Sequence, residues 1–299
     1  AVTSGKACHR PVLSVRDDLN SAQTFRLQYR QQVNFFDVEQ VALGLRVQNY
    51  NNLRRGTSGL ENSLSHNVEL SYTNFSMFSH LNFFAFANYQ RRIRDLSEAL
   101  TYEGLQRITT PLNLQGANDF LNVTGQVTKT FEKWRVTGSA TLMYNSLGNV
   151  IDEQQNRNNT WTQRYRSSIA TRLFKVLTLD VGYRYEYSDY QSDFTSNTFI
   201  NHNPNAEVGI RILPSLTLDM VYNRNRYIDR NLDAVNTYQL LDATLSYQRK
   251  DSPWQCTLHG TNLTGTQAIR RNGFSDSLVS DYAYFVLPRY FLLTLAYEI

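Results

Sequence analysis

The residue types best suited to chemistry are few in this chain, and they are scattered. Its five histidines, His9, His66, His80, His202 and His259, nowhere fall into the spacing of a metal-ligand set. Cys8 and His9 are neighbours and could ligate a metal as a pair, although chance also places two such residues together. Cys256 alternates with Trp254 and Leu258 and reads as a small apolar residue. His259 alternates with Thr257 and Thr261. Hydrolysis there would need a serine and an acid beside it, and the sequence does not place them. A Gly-x-Ser-x-Gly elbow, a phosphate-binding loop, a dinucleotide fingerprint and a His-Glu-x-x-His pair are all missing. The expectation is a non-enzyme without cofactor or metal.

The elements that would position these residues follow from composition and periodicity. The 299 residues are 41% hydrophobic and 19% charged, with 14 Gly and 6 Pro, too few for a collagenous or low-complexity chain. Two cysteines exclude a disulfide scaffold. The longest apolar runs, Phe83 to Ala87 and Tyr290 to Leu293, are far short of a transmembrane helix. Ala1 is not followed by a charged segment and apolar core, so the expectation is that a signal peptide has been removed or that the sequence begins inside a longer chain.

Period two dominates instead. Trp134, Val136, Gly138, Ala140, Leu142 and Tyr144 interleave with Arg135, Thr137, Ser139, Thr141 and Asn145. Leu177, Leu179, Val181, Tyr183, Tyr185 and Tyr187 interleave with Thr178, Asp180, Gly182, Arg184, Glu186 and Ser188. The same pattern runs from Leu216 to Tyr222, from Leu241 to Tyr247, and through Phe291, Leu293, Leu295, Tyr297 and Ile299. These segments last about 9–14 residues, whereas soluble strands run nearer 5 or 6 and membrane-crossing strands about 9–11. No helical period is sustained. The predicted class is all-β, an antiparallel up-and-down sheet of about 12–13 strands.

Such strands could build a soluble sandwich or a transmembrane β-barrel. Tyrosines and tryptophans at strand ends (Trp134, Tyr144, Tyr183 to Tyr190, Tyr222, Tyr227, Trp254, Tyr290 and Tyr297) favour the barrel, where they would form interfacial girdles. Connection lengths favour it too. Tight turns are expected near Glu132, Phe174, Pro214 and Asp251. Long polar loops are expected over Gly148 to Thr160, Tyr190 to Asn203, Ile228 to Asn236 and Gly265 to Asp281. Short turns belong to the periplasmic rim and long loops to the outside, which places the C-terminus in the periplasm of an outer-membrane barrel.

In that frame the charged residues divide into two sets. Arg135, Arg172, Asp180, Arg184, Glu186, Glu207, Arg211, Asp219 and Asp242 alternate with apolar residues and would form a polar lumen wall. That wall could contact a plug, line a solute path, or simply be stiffened by cross-strand ion pairs. Arg224, Arg226, Arg230, Arg270 and Arg271 fall in expected outer loops, where they would meet lipopolysaccharide and could bind its phosphates or stay solvated. Of the 30 basic residues 25 are Arg, but their scatter argues against nucleic acid. The closing stripe Phe291, Leu293, Leu295, Tyr297 and Ile299 is the candidate assembly signal, an edge offered to the assembly machinery.

Several passages resemble a known family. Phe25-Arg-Leu-Gln-Tyr29 is similar to an RLxY strand. Gly56-Thr-Ser-Gly-Leu60 with Ser65-His-Asn67 resembles a GNPxLxxxxSHN passage, with Thr57-Ser58 in place of Asn-Pro. Pro111-Leu-Asn-Leu-Gln-Gly116 is similar to PxNxxG. Gly260-Thr-Asn-Leu263, Phe274-Ser-Asp276 and Leu287-Pro-Arg-Tyr290 then precede a last strand that ends in Ile299 instead of Phe. In this order they resemble the C-terminal barrel of TonB-dependent-receptor-like outer-membrane proteins of Bacteroidetes. The resemblance implies a barrel of about 22 strands around an N-terminal plug, of which residues 1–299 would be the C-terminal part, lacking the plug and first strands. It implies a receptor or transporter barrel that binds or takes up a solute. The rival is a non-transporting accessory subunit of an outer-membrane complex. Implied partners are outer-membrane lipid and lipopolysaccharide, the remaining barrel with its plug, TonB, and a surface lipoprotein or other complex subunits.

Overall fold

The computed structural model describes residues 11–114, 116–173, 176–275 and 278–297, with backbone only for 172–173 and 270–281. Cys8, His9 and Ile299 lie outside the described residues. The strands are β1 (Val12–Asn20), β2 (Gln23–Asn34), β3 (Leu45–Asn49), β4 (Asn52–Arg55), β5 (Ser63–Ser76), β6 (Leu81–Ile93), β7 (Leu96–Glu103), β8 (Gln106–Asn113), β9 (Ala117–Thr130) and β10 (Trp134–Ile151). They continue with β11 (Gln154–Leu173), β12 (Leu177–Gln191), β13 (Ser196–Leu213), β14 (Leu216–Asp229), β15 (Ala234–Gln248), β16 (Trp254–Thr261), β17 (Ala268–Ser275), β18 (Leu278–Phe285) and β19 (Tyr290–Tyr297). The one helix among the described residues, α1 (Val38–Val41), is capped by the Asp37 side chain.

Alternation makes these segments strands, because only a pleated backbone sends successive side chains to opposite faces. Thirteen of the 19 form one antiparallel meander, β1-β2-β5-β6-β9-β10-β11-β12-β13-β14-β15-β16-β19. No pairing joins β1 to β19 among the described residues. The other six strands are hairpins inside connections 35–62, 94–116 and 262–289. Two of those hairpins attach sideways, β4 to β8 and β7 to β10, both in parallel.

All the long connections lie on one rim, and the turns 21–22, 77–80, 131–133, 214–215 and 249–253 on the other. Three expected loops prove to be strand. β10 and β11 run on to Ile151 and from Gln154, so Gly148 to Thr160 is mostly a paired ladder closed by residues 152–153. Tyr190 to Asn203 and Ile228 to Asn236 likewise narrow to turns at 192–195 and 230–233. The reason is physical. Beyond the apolar band the strands bury polar side chains, among them Ser146, Asn149, Asn156, Asn158 and Asn197, so the apolar–polar alternation that marks a strand disappears while the hydrogen-bond ladder continues.

On β10, Trp134 and Tyr144 bracket the apolar side chains Val136, Ala140 and Leu142. Their ten-residue separation is about 33 Å along the strand, or about 25 Å of height at a strand tilt near 40°. Buried apolar residues lie elsewhere. Leu53, Leu100 and Ile108 are buried within the hairpins of the long-loop rim, with Leu53 opposite Ile108 across β4 and β8, and Leu60, Tyr190, Phe199 and Ile200 are buried at the same end. The hydrophobic core is thus at one end of the sheet, under the connections.

Candidate polar-wall site

The meander carries one apolar and one polar face, and register decides which charges meet on the polar one. Arg166 of β11 stands directly opposite Arg184 of β12. Two residues nearer the short-turn rim on β12 is Gly182, and two further is Asp180, directly opposite Glu207 of β13. Glu207 faces Val221 of β14, which faces Asp242 of β15. Asp219 sits opposite Gly209. Two like-charge pairs thus face each other directly, Arg166 with Arg184 and Asp180 with Glu207, while Arg135 lies in the row of the second pair through Ala170.

Like charges directly opposite one another destabilise a bare sheet. Among the described residues, Arg166, Arg184, Asp180, Glu207 and Asp219 make no ion pair. One level nearer the long-loop rim the arrangement is different. Arg164 reaches Glu186 with two bonds, Nε to Oε2 at 3.0 Å and Nη2 to Oε1 at 3.3 Å. That fork rigidifies the sheet, while the levels below it stay available.

Two glycines shape the wall between them. A Cβ on Gly182 would fall 2.6 Å from Asn205 Oδ1, and one on Gly209 would fall 2.5 Å from Thr178 Oγ1. Neither position admits a larger residue without moving its neighbour. The space left is a cavity of about 340 Å³ bounded by Gln126, Ser139, Arg166, Arg184, Asn205, Asp180 and Glu207. A second, of about 600 Å³, opens at the short-turn rim beside Arg135, Asp180, Glu207 and Asp219. Guanidinium groups above carboxylates can hydrogen-bond a polar ligand or a polypeptide segment that carries both signs.

The remaining expected wall residues separate from this cluster. Arg211 pairs with Thr217 at the short-turn end of β13 and β14. For Arg172 the backbone pairs with Thr178, and its side chain lies outside the described residues. Asp242 accepts the backbone N–H of Asn262 at 2.7 Å and so serves the base of a loop. Outer-loop placement is corrected for Arg224 and Arg226. Both lie within β14 on its apolar side, opposite Pro204 and His202, because that strand extends to Asp229. Arg230 occupies the following turn. Arg270 and Arg271 are in β17 of a loop hairpin, described by backbone alone. Tyr227, expected in an interfacial girdle, is instead on the polar face, stacked on Phe199 with centroids 5.5 Å apart.

Sequence reasoning missed the residues that hold the loops. Asn262, almost wholly buried, donates to the carbonyls of Thr266 and Leu287 at 2.8 and 2.9 Å. Asn113 donates to the carbonyls of Glu61 and Arg94 and accepts from the Glu61 N–H, tying two connections together. Both occur in the motif-like passages Gly260-Thr-Asn-Leu263 and Pro111 to Gly116, which were the available signal. His259 bonds Thr244 Oγ1 through Nδ1 at 2.8 Å across β15 and β16. Among the described residues no group of three or more His, Cys, Asp or Glu could hold a metal.

A two-faced meander with a charged polar wall is the pattern of a membrane barrel sheet. The family comparison agrees. The model of the outer membrane protein beta-barrel family matches residues 10–211, and the chain belongs to that family. A comparison with curated proteins gives no match. Among solved structures the chain is similar to the ferric yersiniabactin uptake receptor FyuA from Yersinia pestis, at 10% identity and a TM-score of 0.40. That alignment covers 97% of this chain and 50% of the receptor chain, so this chain spans about half its length.

Proposed function

We propose that this chain forms part of the wall of an outer-membrane receptor or transport barrel of the TonB-dependent type, with its polar face toward the lumen. The observation that carries the reading is the pair of opposed like charges on the polar face, Arg166 with Arg184 and Asp180 with Glu207, none of which forms an ion pair among the described residues. A sheet with a purely structural role gains nothing from opposed like charges, whereas a lumen that engages a solute or a plug does. The family membership supports outer-membrane placement. The sorting of connection lengths supports long loops outside and the C-terminus in the periplasm. We read no catalytic role. The partners in this proposal are the rest of the barrel with a plug, TonB, and a surface subunit.

The test is solute uptake by cells lacking the gene, complemented with the native chain or with Arg166→Glu plus Arg184→Glu. The expected result is loss of uptake of at least one solute too large for diffusion pores, with the variant still assembled in the membrane. Equal uptake in the deletion, native and variant strains would favour the accessory-subunit reading.

A further inference from the structure

We propose that Arg224 and Arg226 form a membrane-facing site for the phosphorylated headgroup of an outer-leaflet glycolipid. Both are exposed on the apolar side of β14, beyond Tyr222, the last aromatic of that stripe. Two strand residues apart, their guanidinium stems rise about 7 Å from each other on one face. The girdle residue below them places this pair where lipid phosphates lie.

The surroundings hold the pair without neutralising it. Pro204 stands opposite Arg224 and has no N–H for the ladder. The Arg224 carbonyl is taken by the Asn203 side-chain amide at 2.8 Å. Arg226 faces His202, whose Nδ1 is bonded to the Tyr183 hydroxyl at 2.6 Å. On the other side the facing residues are Gln239 and Thr237 of β15. None of these is an acid, and neither guanidinium forms an ion pair among the described residues. Arg91 provides the internal contrast: it is on the same face of β6 and has Asp119 at 3.8 Å as a cross-strand partner. One outward arginine is thus already paired, and two others are presented bare. Arginine suits the role because its planar fork binds phosphate oxygens in pairs.

The inference rests on the proposed orientation, which cysteine labelling tests separately, as set out below. Its own test uses the full-length protein purified in detergent, with diphosphoryl lipid A, dephosphorylated lipid A and inorganic phosphate as probes. Binding of diphosphoryl lipid A should weaken roughly tenfold in Arg224→Gln plus Arg226→Gln, equivalent to the loss of about 1.4 kcal/mol. It should stay within about twofold in Arg91→Gln, and it should fall as salt rises. Heat-modifiable migration checks that each variant is folded. If the double variant does not assemble, the single variants replace it, each expected to weaken binding about threefold. Equal binding of dephosphorylated lipid A, displacement by millimolar inorganic phosphate, or an Arg91→Gln effect as large as the double variant's would each overturn the proposal.

Discussion

Asp242 Oδ1 accepts the backbone N–H of Asn262 at 2.7 Å, and this contact joins the polar wall to the longest connection near the end of the sheet. Asn262 has a positive φ of 51° and a side chain 1% exposed, so both its backbone and its amide are committed to that position. Through Thr266 and Leu287 the same amide closes the neck of residues 262–289.

Asn262→Ala should open that neck. It removes four side-chain hydrogen bonds from a buried site, three of them to backbone groups, where each orphaned backbone group costs about 1–3 kcal/mol. The effect should be local. Limited proteolysis within 262–289 should accelerate, while heat-modifiable migration of the barrel stays unchanged. An Asn262→Ala protein cut no faster than the native chain would show that the neck is held by other contacts.

The two faces of the meander should respond differently to one substitution. Leu218 and Leu245 are direct cross-strand partners on the apolar face, as are Thr217 with Ser246 and Asp219 with Thr244 on the polar one. Arginine at Leu218 or Leu245 should cost about 2–4 kcal/mol by denaturant unfolding in lipid. At Thr217 or Thr244 it should cost far less. Equal costs on both faces would contradict lipid exposure of the apolar side.

Topology has its own measurement. Leu232, 60% exposed in the turn 230–233, lies on the long-loop rim, and Ser215 on the opposite one. In intact cells an impermeant thiol reagent should label Leu232→Cys and leave Ser215→Cys unlabelled until the envelope is opened. The reverse pattern would invert the orientation.

The closing strand tests assembly. Among the described residues β19 pairs with β16, and its ring contact Tyr297–Trp254 has centroids 4.9 Å apart. Tyr297→Ala with Ile299→Ser removes little membrane-buried area, yet it should sharply lower the folded barrel recovered from membranes if this edge is read during assembly. Leu218→Ala, in the middle of the apolar face, is the comparison. Recovery of the terminal variant at or above that of Leu218→Ala would leave the stripe as a lipid contact alone.

The sequence by itself determined the class, the period and the faces. Pleating sends alternate side chains apart whatever the neighbouring strands do, so Leu179 and Asp180 were assigned to opposite faces before any strand was placed. The polar wall was legible for the same reason. Tertiary structure decided which charges meet. Arg166 opposes Arg184 only because β11 and β12 pair in the register that sets Leu173 against Leu177, and a slip of one residue would send every side chain to the other face. It also decided where strands end, since residues 148–160 bury polar side chains such as Asn149, Asn156 and Asn158 and so carry no apolar–polar alternation. The parallel attachments β4–β8 and β7–β10, and the burial of Leu53, Leu100 and Ile108, depend on chain segments dozens of residues apart. Hydrogen-bond ladders at that separation leave no local periodicity, so they become visible only in the folded chain.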